Sequence, residues 1–263
     1  MSVVLCSVVV RCYNEQQHTG RMLSGILQRS IRDVEIIVVD SGSTDATLCI
    51  AARHLVKVLP TRPEEFSFGH SLNPGCHAAG GEFIAGAHVY PVYKDRLEWL
   101  LALFANPQVA LVYGKQRANE TKKYSEHQVF ARWFPDKFSL NQNHPFCNNA
   151  NAAIRRELWK PLPYDEELTG LEDIDWAKRV MQLGYKMVYA DDAEVVCVHN
   201  ESTKRICNRY RREAVALKRI FPRSGSVCGT SPVCSEPTRS ATPIMRGMSA
   251  CCGATCWASR PSG

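Results

Sequence analysis

The sequence predicts an α/β domain built on a mostly parallel sheet flanked by helices, and three observations point there. Two unbroken β-branched runs, Val8 to Val10 and Ile36 to Val39, lack the polar alternation of half-solvated strands and suit strands covered on both faces. Between them, Arg21 to Arg29 reads as a helix with Met22, Leu23, Ile26 and Leu27 on one stripe, which makes a right-handed parallel crossover. Both runs end in small polar and acidic residues, Tyr13-Asn14-Glu15 and Asp40-Ser41-Gly42-Ser43-Thr44-Asp45. Open α/β sheets bind ligands at that carboxyl edge, so a nucleotide is expected there.

The remaining elements follow in order. Ala46 to His54 reads as a helix, and Val56 to Leu59 as a short strand closed by Pro60 and Pro63. Gly69 to Ala79 is a weaker helix carrying Asn73, Pro74 and Gly75, followed by a strand at Glu82 to Ala87. Leu97 to Phe104 is apolar and helical, and Val109 to Tyr113 is the next strand. From Asn119 to Asn149 the pattern is irregular, with an amphipathic stretch at Val129 to Phe134 and a polar loop at Asn141 to Pro145. Loops of this length are often functional. Ala150 to Arg155 is expected as a strand, Ile174 to Leu183 as a helix, Met187 to Ala190 and Val195 to His199 as short strands, and Arg205 to Phe221 as a basic helix.

With 263 residues and 45% hydrophobic content, the chain has material for one large domain, taken as residues 1–222. Beyond Arg223 the periodic apolar pattern vanishes into Ser, Gly, Pro, Thr, Arg and Cys, so residues 223–263 are expected as a disordered or aberrant tail, an out-of-frame read being one origin. The charge of +6 suits a polyanionic ligand or an anionic membrane surface and does not by itself imply nucleic acid. No segment resembles a membrane span or a cleaved leader, so a cytoplasmic protein is expected. Seven of the twelve cysteines are scattered through residues 1–222 without zinc spacing and suit small buried hydrophobes.

Several side chains carry two readings. Asp40 to Asp45 fits a tight turn before a helix capped by Ser43 or Thr44, but that reading leaves Asp40 without a task at the strand end and a ligand loop accounts for it. Glu172, Asp173 and Asp175 complement a helix dipole, while a carboxylate at such a place also serves as a general base when partly buried. Arg155 and Arg156 suit phosphate neutralisation or plain solvation. Six basic residues between Arg205 and Arg219 suit anionic lipid or a solvated face.

Taken together, the residues from Val3 to Pro222 resemble the family 2 glycosyltransferases. The resemblance rests on Ser7 to Glu15, Glu35 to Asp45, Ala78 to Ile84, Asn148 to Arg156 and Glu172-Asp173-Ile174-Asp175-Trp176. It implies a Rossmann-like GT-A fold and inverting transfer from a nucleotide-diphosphate sugar to a saccharide or lipid-linked acceptor, in bacterial surface polysaccharide assembly. It places Asp40 on the nucleotide base, with Tyr13, Asn14, Glu15, Ser41 and Ser43 lining the same pocket, and makes Asp173 the base. The family's acidic Asp-X-Asp metal element is replaced by Gly86-Ala87-His88. A divalent metal, Mn or Mg, would then rest on His88 and His199, which otherwise read as strand-end histidines. A degenerate, non-catalytic nucleotide-sugar-binding module is the competing reading. A nucleotidyltransferase is disfavoured because no Gly-rich, basic triphosphate loop follows the first strand.

Overall fold

The computed structural model describes residues 4–28, 31, 33–87, 90–91, 95–118, 124–197 and 202–222. His88, His199 and residues 223–263 lie outside them. By contacts the chain divides into residues 1–200 and 201–263.

The first unit holds an eight-stranded sheet of order β3-β2-β1-β4-β7-β6-β8-β5. The strands are β1 Cys6–Cys12, β2 Val34–Asp40, β3 Lys57–Pro60, β4 Phe83–Gly86, β5 Tyr90–Pro91, β6 Val109–Ala118, β7 Ala152–Arg155 and β8 Lys186–Cys197. Six run parallel; β7 is reversed between β4 and β6, and β5 is reversed against β8. The unbroken apolar runs have the expected cause. Val8, Val10, Ile36 and Val38 face one hydrophobic core, while Val9, Ile37 and Val39 face the other. Each such side chain contributes about 1.5–3 kcal/mol by full burial, so a polar residue on either face would be costly.

The helices of this unit are α1 Gln16–Leu27, α2 Thr47–Ala51, α3 Phe68–Ala78, α4 Arg96–Ala102, α5 Tyr124–Trp133, α6 Arg156–Trp159 and α7 Glu172–Gln182. The first begins five residues before the apolar stripe predicts, because its opening turn is polar and is anchored by Thr19, whose Oγ1 donates to Glu15 O at 2.8 Å. Met22, Leu23 and Ile26 are buried as expected, but Leu27 at the frayed end is exposed. The two short strands expected between residues 187 and 199 are one strand, β8, whose bulged register against β6 carries it past the polar Asp191-Asp192.

The direction of β7 corrects the reading of Arg155 and Arg156. Reversal pairs Arg155 with Phe83, at the amino end of β4, so both arginines leave the sheet on the edge away from the strand-end loops. Neither is solvated in the manner of a surface residue. The buried Arg155 guanidinium donates to the carbonyls of Val109, Phe104 and Asn106 and stacks on Phe83 and Phe104. Arg156 donates to the Gly80 and Gly81 carbonyls.

The polar loop at 141–145 is likewise structural at its centre. Buried Gln142 accepts from Tyr113 Oη at 2.5 Å and donates to the carbonyls of His144 and Phe146. Five of the seven described cysteines are buried, whereas Cys49 and Cys207 are exposed.

The described part of the second unit is α8, Thr203–Ile220, capped by Ser202 Oγ, which accepts from Arg205 N at 3.3 Å.

Candidate active site

Parallel pairing ends β1 and β2 side by side, with Cys12 opposite Asp40, and the two loops that follow clasp each other. Asn14 takes a left-handed conformation, φ 54°, which Asn tolerates better than most side chains. That turn lets its N–H donate to Ser43 Oγ at 2.9 Å while its Oδ1 accepts from Thr44 N at 2.8 Å and Asp45 N at 3.3 Å. Glu15 N donates to Thr47 Oγ1 at 2.8 Å, and Gln16 N to Asp45 Oδ2 at 3.1 Å. Neither Ser43 nor Thr44 caps α2: its N-cap is Ala46, with no side-chain cap bond, and Asp45 Oδ1 accepts from Thr47 N at 2.9 Å in the turn before it. Of the six strand-end candidates, Asn14, Glu15 and Ser43 therefore join in one hydrogen-bonded loop pair.

Asp40 sits behind this pair at 1% exposure. Its Oδ2 accepts from the N–H groups of Gly42 and Ser43 at 3.1 and 2.9 Å, and its Oδ1 from Ser43 Oγ at 2.5 Å and Cys12 Sγ at 3.6 Å. The carboxylate thus closes a tight turn in which Gly42 has φ +84° and faces Pro63, a place with room for neither a side chain nor its strain. Ser41 is buried too, while Tyr13 is 54% exposed. Burial pushes the Glu15 carboxyl up, His18 opposes that, and Asp45 adds to it. Burial first and Asp40 second push the Cys12 thiol up to about 12, leaving it protonated and unreactive.

A second cluster forms where β7 begins. Because β7 is reversed, Asn149 lies at the carboxyl edge of the sheet, against the end of β4. A Cβ on Gly86 would stand 1.8 Å from the Asn149 carbonyl oxygen, so only glycine permits this approach. Asn149 N donates to Asp173 Oδ2 at 3.0 Å, its Nδ2 reaches Glu172 Oε1 at 3.4 Å, and its Oδ1 accepts from Tyr164 Oη at 3.4 Å. Ile174 N donates to Asp173 Oδ1 at 2.9 Å. Burial, and then the neighbouring Glu172 carboxylate, push Asp173 up to about 7, against the opposing pull of the Asn149 and Ile174 N–H groups. Leu171, the residue before α7, has φ 62°, a strained conformation for a non-glycine side chain. Asp175 instead pairs with Arg179 at 2.8 Å.

Sequence reasoning missed Asn149 as the brace of the Glu172-Asp173 pair. Its only signal was the Asn148-Asn149 doublet before a strand, of which Asn148 caps the following turn, its Oδ1 accepting from Ala150 N at 3.0 Å.

Both metal candidates, His88 and His199, lie outside the described residues. Among the described residues no group of three or more His, Cys, Asp or Glu side chains is placed to hold a metal ion. No described helix is long and apolar enough to cross a membrane.

Comparison with known proteins agrees with this architecture. O-antigen chain rhamnosyltransferase WbaN of Salmonella anatum is 30% identical over 189 residues, covering 67% of this chain and 60% of that protein. O-antigen chain rhamnosyltransferase RfbN of Salmonella typhimurium is 26% identical over 223 residues, covering 78% and 69%. Among solved structures, mannosyltransferase PcManGT from Pyrobaculum calidifontis, in complex with GDP-Man and Mn2+, superposes with TM-score 0.66 at 21% identity, covering 97% of this chain and 76% of that one. Glucosyl-3-phosphoglycerate synthase from Mycobacterium tuberculosis, holding Mn2+, UDP-Glc and phosphoglyceric acid, does so with TM-score 0.63 at 22% identity, covering 84% and 82%. These likenesses carry the GT-A fold. Residues 7–162 match Glycosyl transferase family 2, and the chain belongs to that family.

Proposed function

We propose that this chain is an inverting glycosyltransferase that moves a sugar from a nucleotide-diphosphate donor to a hydroxyl of a saccharide or lipid-linked saccharide in surface polysaccharide assembly. Two O-antigen chain rhamnosyltransferases among its relatives support rhamnose as the sugar. The observation that carries the reading is the buried Asp173 carboxylate, held by Asn149 beside the end of β4, the strand that pairs with β1.

In this reading the nucleotide lies against the clasped loops, contacted by Tyr13, Asn14, Glu15, Ser41 and Ser43. Asp40 holds the turn on which those contacts depend. The acceptor oxygen attacks the anomeric carbon from the face opposite the diphosphate, and Asp173 takes its proton. The new glycosidic C–O bond forms as the bond from the anomeric carbon to the diphosphate oxygen breaks, releasing the nucleoside diphosphate with inversion. Residence near pH 7 suits Asp173 to this task, since a base is most effective when its pKa lies near working pH.

Asp173→Asn should lower sugar transfer by about 10²–10⁴-fold while donor binding, measured by calorimetry, stays within a few-fold. Transfer retained in that variant overturns the assignment; binding retained with no transfer in the native protein favours the non-catalytic module. The cation reading rests on His88 and His199: EDTA and His88→Ala should each abolish donor binding, and binding indifferent to both removes it.

A further inference from the structure

We infer that α8 is a docking surface for a membrane bearing anionic phospholipid. Seven of its 18 residues are Lys or Arg and one is Glu, so this helix alone accounts for the +6 of the whole chain. The cations are not scattered. Lys204-Arg205, Arg211-Arg212 and Lys218-Arg219 repeat every seven residues, two helical turns, and thus stack as three pairs on one face about 10 Å apart along the axis. All six are exposed, and no exposed position of the helix is acidic. Glu213 lies on another stripe, half-buried and paired with Arg209 at 3.7 Å, beside the buried Ile206, Ala216, Leu217 and Ile220.

The occupant follows from what else this face carries. Val215, 56% exposed, stands between the second and third pairs, where a helix lying in the interface inserts an apolar side chain among headgroups. The exposed positions include no aromatic ring on which a base could stack, the usual device for holding single-stranded nucleic acid. Cations spread over roughly 20 Å of one face match a plane of negative headgroups better than they match one small anion.

Each basic residue near an anionic surface strengthens binding roughly fivefold. The full chain should therefore co-sediment with phosphatidylcholine vesicles containing one third phosphatidylglycerol, should not do so with pure phosphatidylcholine, and should be released as salt rises. The triple variant Lys204→Glu, Arg211→Glu, Lys218→Glu should lose about a hundredfold in vesicle affinity, with circular dichroism and melting unchanged. Should charge reversal disturb folding, the native protein's contrast between the two vesicles and its salt dependence decide. Equal binding to neutral vesicles, full anionic binding by a folded triple variant, or displacement by duplex DNA at equal phosphate concentration overturns the inference.

Discussion

Asp173 shows how one residue's surroundings bear on both the proposed proton transfer and stability. Its raised pKa means that the ionised form, the one able to accept a proton, is disfavoured by burial and by Glu172. Transfer should accordingly rise with pH along a limb centred near 7, and Asp173→Asn should remove that limb. Stability has the opposite sign. With the folded pKa above the unfolded value of 3.8, the contribution of the protonated group is fully present below that value and is lost as pH climbs through 7. Asp40, also buried, is supplied with four donors. Asp40→Ala strands the Gly42 and Ser43 N–H groups, which should cost roughly 1–3 kcal/mol in chemical denaturation and weaken donor binding as the turn loosens. An unchanged denaturation midpoint would contradict the bracing role.

Among elements, the contact between β4 and the segment entering β7 couples the two halves of the site. Gly86→Ala forces the Asn149 carbonyl away and with it the N–H that holds Asp173. The transfer rate should fall about a hundredfold, as expected of a base displaced by an ångström or so. The pH limb should also move upward, because a hydrogen bond that favours the carboxylate is lost; a limb that stays in place refutes the coupling. Arg155 makes the complementary case at the opposite edge. Arg155→Met should cost on the order of 3 kcal/mol by removing its bonds to the Val109, Phe104 and Asn106 carbonyls, yet leave the folded protein's donor affinity intact. A tenfold weaker donor affinity would return Arg155 to the phosphate.

For the whole molecule, the sequence was informative where local pattern and tertiary environment coincide. Continuous Val and Ile runs already imply cover on both faces, so the parallel crossover of β1, α1 and β2 could be read directly, and the polar residues after each strand had to emerge on one edge. Asp173 was singled out only through the family resemblance, because acidic residues opening a helix are otherwise the ordinary complement of its dipole. The start of α1 was not legible, since a polar first turn leaves no periodic signal, and neither was the continuity of β8 across two aspartates. The sequence by itself determined the parallel crossover, the edge on which its polar strand ends emerge and the acidic doublet at the head of α7. Only the tertiary structure decided that β7 runs backwards. Strand direction is set by pairing partners distant in sequence, and the alternation of a four-residue strand reads the same both ways. That reversal puts Asn149 against Gly86 and Asp173 and sends Arg155 to the far edge.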